Sequence, residues 1–274
     1  MSRISLNCSS FVAKQNGYPS PQDSWEICVR TVNAFYRPLE TFAERFGQLI
    51  LDGKALGFDA LDVWTPGQFS WRWATEEHIA VARGLLEQHQ MAVTSLGGEF
   101  GATRDEFVAA CKLAVGVNTQ LLSGRTPLLL SERAFVIARL KEYDLRLAFE
   151  NHPEKTPQEM LDKIGEGGEG RIGTAVDTGW YATQGTDAVK AIEALSGHIF
   201  HVHLKDVRAP GEHINCGYGQ GCVPLEASVQ ALKELGYPGD YSVENHAFDH
   251  DPAEEIRTAL GLLQDWLALP AQSG

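Results

Sequence analysis

His201-Val202-His203-Leu204-Lys205-Asp206 reads as a buried β-strand whose polar residues all fall on one side. Side chains alternate faces along a strand, so Ile199, His201, His203 and Lys205 share one face, and Phe200, Val202 and Leu204 the other. The second face is apolar throughout, while the first turns polar toward its C-terminal end. That combination suits a strand of a closed parallel barrel, with helices covering the outside and chemistry at the carboxyl ends of the strands.

Three other stretches repeat the design. In Leu145-Arg146-Leu147-Ala148-Phe149-Glu150, Ala148 and Glu150 point inward. In Ile172-Gly173-Thr174-Ala175-Val176-Asp177, Asp177 ends the inward row, and in Tyr241-Ser242-Val243-Glu244, Glu244 points in above Ser242. Each strand thus carries a small residue low in the barrel and a metal-type ligand at its top: Glu150, Asp177, His203 and Glu244.

Working outward, Ile4 to Cys8 alternates as a first strand, and residues 9–40 form a long connection with Tyr18, Pro19, Pro21, Trp25, Phe35, Tyr36 and Pro38. Long connections in compact domains are usually functional or mobile; this one is either an ornamental helix and loop or a cover over the site. A helix over 41–56 leads to a strand from Phe58 to Trp64. The next loop, through Trp71 and Trp73, offers rings that either stack on a sugar or plug the local core. Strand-then-helix units follow, with capping boxes at Thr103-Arg104-Asp105-Glu106 and Thr156-Pro157-Gln158-Glu159. Eight such units, with no linker or low-complexity tract, predict a single (β/α)8 TIM-barrel domain over residues 1–274. The Gly217–Gly221 loop after the seventh strand either cradles phosphate or is a turn.

Composition narrows the function classes. A length of 274 residues suits one α/β barrel, and 43% hydrophobic with 22% charged residues is ordinary for a globular protein. A net charge of −13 with no basic block argues against a nucleic-acid partner. Five cysteines, without C-x-x-C spacing, read as reduced thiols rather than a disulfide frame, although Cys216 and Cys222 share one loop that can reach a metal. With no signal-peptide pattern and no run of 18 apolar residues, a soluble, cytoplasmic protein with no membrane partner is expected.

The strand-top residues imply a cation. A lone strand-end Asp or Glu is more often a helix cap or a surface charge, and a lone barrel His is usually structural; here all four positions share one phase. Two like charges about 4 Å apart repel by roughly 4 kcal/mol at an effective dielectric of 20, so three crowded carboxylates cost on the order of 12 kcal/mol without a proton or cation among them. Three oxygens and one nitrogen suit one divalent ion, with Mn²⁺ the first expectation and Mg²⁺, Co²⁺ or Zn²⁺ the alternatives.

At these residues the chain resembles the xylose-isomerase-like TIM-barrel superfamily of sugar phosphate isomerases and epimerases. The resemblance covers nearly the whole chain and rests on Phe149-Glu150-Asn151-His152, Asp177-Thr178-Gly179-Trp180, the His201–Asp206 stretch, Gly217-Tyr218-Gly219-Gln220-Gly221 and Ser242-Val243-Glu244-Asn245-His246. It implies a metal held by Glu150, Asp177, His203 and Glu244, with Glu150 and Glu244 also the acid/base pair. Many members carry His three residues after the metal-binding Asp; Trp180 stands there, pointing to a more apolar or aryl-bearing substrate. A DNA-repair branch uses more His ligands and a basic surface, which the acidic chain disfavours.

The expected activity is isomerisation or epimerisation of a ketose, aldose or keto-polyol by proton transfer through a metal-bound enediolate. Lys205 either stabilises the developing oxyanion or pairs with a neighbouring carboxylate. His152, Trp180, His246, Arg208, Glu99 and Trp64 are expected to contact a small carbohydrate substrate. The alternatives are a metal-dependent lyase that dehydrates a keto-inositol or keto-sugar, and a non-catalytic sugar-binding protein. A homo-oligomer is compatible with the resemblance.

Overall fold

The period-two segments pair in parallel and close on themselves. The strands are β1 (Ile4–Asn7), β2 (Ala60–Trp64), β3 (Ala92–Glu99), β4 (Leu121–Arg125), β5 (Arg146–Glu150), β6 (Ile172–Asp177) and β7 (Ile199–Leu204). Two short strands, β8 (Asp206–Val207) and β9 (Asn215–Cys216), form an antiparallel ladder, and β10 (Tyr241–Val243) completes the barrel in the order β1-β10-β7-β6-β5-β4-β3-β2. The computed structural model describes residues 2–20 and 25–270; the part of the long connection holding Pro21 lies outside the described residues.

Helices wrap this barrel. Two 3₁₀ turns (Cys8–Phe11 and Lys14–Asn16), α1 (Trp25–Tyr36) and α2 (Leu39–Ala55) follow β1; α3 (Glu76–Gln88) follows β2 and α4 (Arg104–Gly116) follows β3. Next come α5 (Leu128–Ser131), α6 (Arg133–Glu142), α7 (Pro157–Ile164), α8 (Thr178–Thr183) and α9 (Ala188–Ala194), then α10 (Leu225–Glu234) and α11 (Ala253–Ala268). Their starts are set by local chemistry: Thr103 and Glu106 form the reciprocal capping box at α4. At α7, Thr156 caps Glu159, whose carboxylate turns back to the N–H of Lys155. The helices bury apolar stripes against the outward strand residues, among them Leu147, Val176, Val202, Leu204 and Val243. Among the described residues, no helix is long and apolar enough to cross a membrane.

One part of the expected phase is overturned. Thr174 pairs with Ile199 but Ala175 pairs with His201, so β7 carries an extra residue there. The bulge turns Phe200 into the barrel, against Leu121, Ala148 and Ala175, and puts Ile199 in the outer core. Phe200 fits because Gly173 has no side chain: a Cβ there would lie 2.7 Å from the ring. With the Arg146 guanidinium 4.9 Å from its centroid, Phe200 plugs the bottom of the barrel. Above the bulge the alternation resumes, and Asp177 and Ser242 each pair with His203.

The glycine loop after β9 resolves the alternatives left open by its sequence. The N–H groups of Gly219, Gly221 and Val223 donate to the Asp206 carboxylate at 3.0, 3.1 and 3.0 Å. The loop therefore already cradles an anion, supplied by the chain itself, rather than offering these amides to phosphate. At Gly221 a Cβ would collide with the Val207 carbonyl oxygen and the Asp206 carboxylate. Gly221→Ala is accordingly expected to cost about 1–3 kcal/mol, as overpacking does, seen as a lower Tm; an unchanged Tm would contradict this reading of the loop.

Candidate active site and metal centre

β5, β6, β7 and the residue after β10 bring Glu150, Asp177, His203 and Glu244 together at the carboxyl end of the barrel. One ligand-type atom from each lies within 4.8 Å of all the others. His203 Nδ1 is 2.6 Å from Glu150 Oε1 and 3.4 Å from Glu244 Oε2. Lys205, next on the inward row of the chain, reaches Asp177 Oδ2 at 2.7 Å and Glu244 Oε1 at 2.6 Å. The sequence expected Lys205 either to stabilise an oxyanion or to pair with carboxylates; it makes two such pairs, leaving one of the ammonium's three donors for other oxygens.

Several local features hold this geometry. Asp177 caps α8, its Oδ1 accepting the Trp180 N–H at 2.9 Å while Oδ2 faces Lys205. Asp177 is therefore both the helix cap of the bland reading and a member of the cluster. Gly179 lets the Lys205 stem pass beneath α8, since a Cβ there would stand 2.8 Å from the stem carbons. Asn151 bonds the backbone of Asp177 in both directions, at 3.0 and 2.7 Å. Around Glu244, Asn7 Nδ2 donates at 3.1 Å and His246 Nε2 lies at 3.0 Å, while Ser9 joins His246 (2.7 Å) to Asn7 (2.6 Å).

Burial opposes charge at every one of these groups, so the neighbours decide. Burial works against the Glu244 carboxylate, yet Lys205, His246 and His203 hold its pKa well below the usual carboxylate range. Burial likewise opposes Glu150, and the His203 charge and hydrogen bond bring it below its ordinary value. For Asp177 burial prevails over Lys205, with Glu244 and Glu150 adding to the upward shift. Burial pulls His203 down, but Glu150 and Asp62 push it well above its ordinary value.

The donor set fits a divalent cation. Two buried carboxylates, the partly buried Glu150 and an imidazole converge within 4.8 Å, balanced by one ammonium and one protonatable ring. Oxygen-rich sets with one imidazole suit Mn²⁺ and its neighbours.

A family model described as xylose isomerase-like TIM barrel matches residues 51–266. The chain belongs to the xylose isomerase-like TIM barrel family. Among relatives, an L-ribulose-5-phosphate 3-epimerase of Salmonella paratyphi A is 35% identical over 92 residues, 33% of this chain and 31% of that protein. The chain thus matches about a third of the length of these curated relatives. A solved D-tagatose 3-epimerase-like protein superposes with a TM-score of 0.68 at 16% identity, covering 97% of both chains. A D-psicose 3-epimerase of Clostridium cellulolyticum H10 gives 0.64 at 13% identity over 97% of this chain and all (100%) of that one. At such identities these superpositions establish the shared fold.

In this xylose isomerase-like barrel, Glu150, His203, Glu244 and Lys205 line a cavity of about 1340 Å³, and Asp177 is not among its lining residues. Glu99, His152, Trp180, His246 and Trp64 all line it. Arg208 does not: its guanidinium is 56% exposed and lies 3.8 Å from Asp249. The inward phase ends at Lys205, after which the β8–β9 ladder carries the chain outward. Of the loop tryptophans, Trp64 faces the cavity; Trp73 packs on Phe42, Phe69 and His78, and Trp71 donates its indole N–H to the Glu99 carbonyl at 2.7 Å. The long connection roofs the site, with Trp25, Val29 and Asn33 of α1 on the lining and Trp25 5.4 Å from the Trp64 ring. Cys216 and Cys222 belong to neither group of metal-type ligands found among the described residues.

Sequence reasoning missed four residues here. Asn7 and Ser9 hold Glu244 and His246 from the end of β1. His213 stacks on Trp180 at 3.8 Å, and burial with the nearby Lys205 and His246 charges pushes its pKa down to about 2, leaving a neutral ring. Asp62, a lone carboxylate within Ala60-Leu61-Asp62-Val63-Trp64, was the readable signal, since an ionised group in an apolar strand requires partners.

Proposed function

We propose that this chain is a divalent-metal-dependent isomerase or epimerase acting on a sugar or keto-polyol, with Mn²⁺ as the metal. The observation carrying this reading is that Glu150 and Glu244 approach the same atom, His203 Nδ1, on the floor of an aromatic-walled cavity. A divalent ion held by Glu150, Asp177, His203 and Glu244 would supply Lewis acidity, polarising a substrate carbonyl and acidifying the adjacent C–H. The names of these relatives, an L-ribulose-5-phosphate 3-epimerase, a D-tagatose 3-epimerase-like protein and a D-psicose 3-epimerase, support a carbohydrate substrate.

The chain's own groups then divide the work. Glu150 is the more accessible carboxylate, with its side chain 16% exposed against 5% for Glu244, and its lowered pKa keeps it ready to take a proton. Glu244, positioned by Asn7, His246 and Lys205 and held ionised, would return a proton only after taking it on Oε1 from His246, 3.0 Å away, while the proton taken by Glu150 passes to solvent. Return to the same carbon gives an epimer, and return to its neighbour gives an isomer. Trp64 and Trp180 close the walls against water, and Lys205 keeps Asp177 and Glu244 in place. A reducing, cytoplasmic setting suits cysteines that form no disulfide among the described residues.

The test is incubation of Mn²⁺-loaded protein with candidate ketoses in D₂O. Deuterium uptake next to the carbonyl without loss of water supports the proposal; an absorbing unsaturated ketone would instead assign a dehydratase. Chelation is expected to lower both turnover and Tm, with Mn²⁺ restoring them, because an ion that binds the folded state at 100 times its Kd stabilises it by about 2.7 kcal/mol. Full activity and an unchanged Tm in chelator would refute the metal dependence.

A further inference from the structure

We infer that Asp62 is a positioning residue that sets the ring of His203 from below, so that Nδ1 faces Glu150 and Glu244. The inference deepens the proposed metal reading and rests on it for its consequence, though not for its geometry. Asp62 is fully buried in the middle of β2, one layer beneath the ligand cluster. Its Oδ2 lies 3.0 Å from His203 Nε2 and 3.1 Å from His201 Nε2, and accepts the Ser242 hydroxyl at 2.9 Å. Its Oδ1 accepts the Ser95 hydroxyl at 2.5 Å.

The sequence builds this layer deliberately. Leu61 pairs with Val93 and Asp62 with Ser95, so an extra residue in β3 brings the Ser95 hydroxyl level with the carboxylate. Ser242 pairs with His203 on the other side. His201 stands edge-on to His203, with ring centroids 5.1 Å apart at 89°, and fills the space on which the His203 ring would otherwise swing.

Asp62, His201 and His203 also bring three ligand-type atoms within 4.8 Å, which raises a second cation site as the competing account. A carboxylate oxygen offers about two acceptor positions, and Oδ2, the oxygen facing both imidazoles, already carries three protein donors. Between the two rings no acceptor is left for a cation, and His203 Nε2 is engaged as a donor to Oδ2. The layer is a carboxylate–imidazole pair behind a ligand, an arrangement that fixes the ring and the nitrogen offered to a metal.

Nitrogen-15 NMR of metal-free wild-type protein should show His203 Nε2 protonated. Calorimetric titration with Mn²⁺ should show one site, weakened about 10- to 100-fold in Asp62→Asn, the loss typical of such outer partners. Thr103→Ala, which removes the cap of α4 and touches none of these groups, should lower Tm and leave the Mn²⁺ affinity unchanged. A deprotonated Nε2 in the wild type overturns the inference even if Asp62→Asn fails to fold. Wild-type affinity in folded Asp62→Asn, or a second Mn²⁺ lost with Asp62, overturns it too. If the wild type binds no Mn²⁺, the metal reading fails, while the NMR result still decides the role of Asp62 in holding the ring.

Discussion

Glu150→Gln is expected to slow solvent-deuterium exchange at the carbon next to the substrate carbonyl by about 10²- to 10⁴-fold, the range a positioned general base contributes. The variant keeps the shape of the side chain and removes the proton acceptor. Structural cost should be small, because among the described residues the Glu150 carboxylate is hydrogen-bonded to His203 alone, at 2.6 Å. An amide oxygen can still accept from Nδ1–H there. Glu244→Gln is a different experiment, since that carboxylate is shared by Asn7, His246, His203 and Lys205. Its loss should lower both turnover and Tm. Exchange at the wild-type rate in folded Glu150→Gln would remove Glu150 from the role of base.

The second large effect concerns stability. Lys205→Met should destabilise the metal-free protein by about 3–5 kcal/mol, the cost of leaving buried charges without their partner. Lys205 is 1% exposed and joins Asp177 and Glu244, which are 0% and 5% exposed. Methionine keeps most of the stem that passes under Gly179, so a cavity is not the cause. The pH dependence carries the sign. Burial already raises the Asp177 pKa, and losing the ammonium raises it further. A carboxyl whose folded pKa lies above its unfolded value of about 3.9 costs stability at higher pH, and the cost fades as pH falls and the group takes a proton. The deficit of Lys205→Met should therefore be larger at pH 8 than at pH 5, and Mn²⁺ should recover part of it. A deficit independent of pH would point to lost packing instead.

The parts of this site that were legible share one property: each is a local phase. Glu150, Asp177 and Glu244 each end an inward row, His203 stands one step before the end of its own at Lys205, and alternation needs only the strand itself. Phe200 and Ile199 were misplaced because a bulge inserts a residue, and β7 alone carries no sign of it; the cause lies in the pairing with β6. Asp62 was passed over because its partners come from across the barrel, His201 being 139 residues away. The glycine loop stayed ambiguous because its anion is internal, the Asp206 carboxylate thirteen residues before Gly219. Arg208, expected to contact substrate, lies beyond the end of β7, in the turn between β8 and β9, where alternation along the barrel strand no longer sets its direction.

On the proposed reading, electrostatics gathers the carboxylates at the barrel mouth around a divalent ion. The decisive measurement is anomalous diffraction at the manganese edge, from crystals of metal-stripped protein reloaded with Mn²⁺. One strong peak per chain is expected, ligated by Glu150, Asp177, His203 and Glu244. No peak in that position, with Lys205 still bridging Asp177 and Glu244 at saturating Mn²⁺, would contradict it.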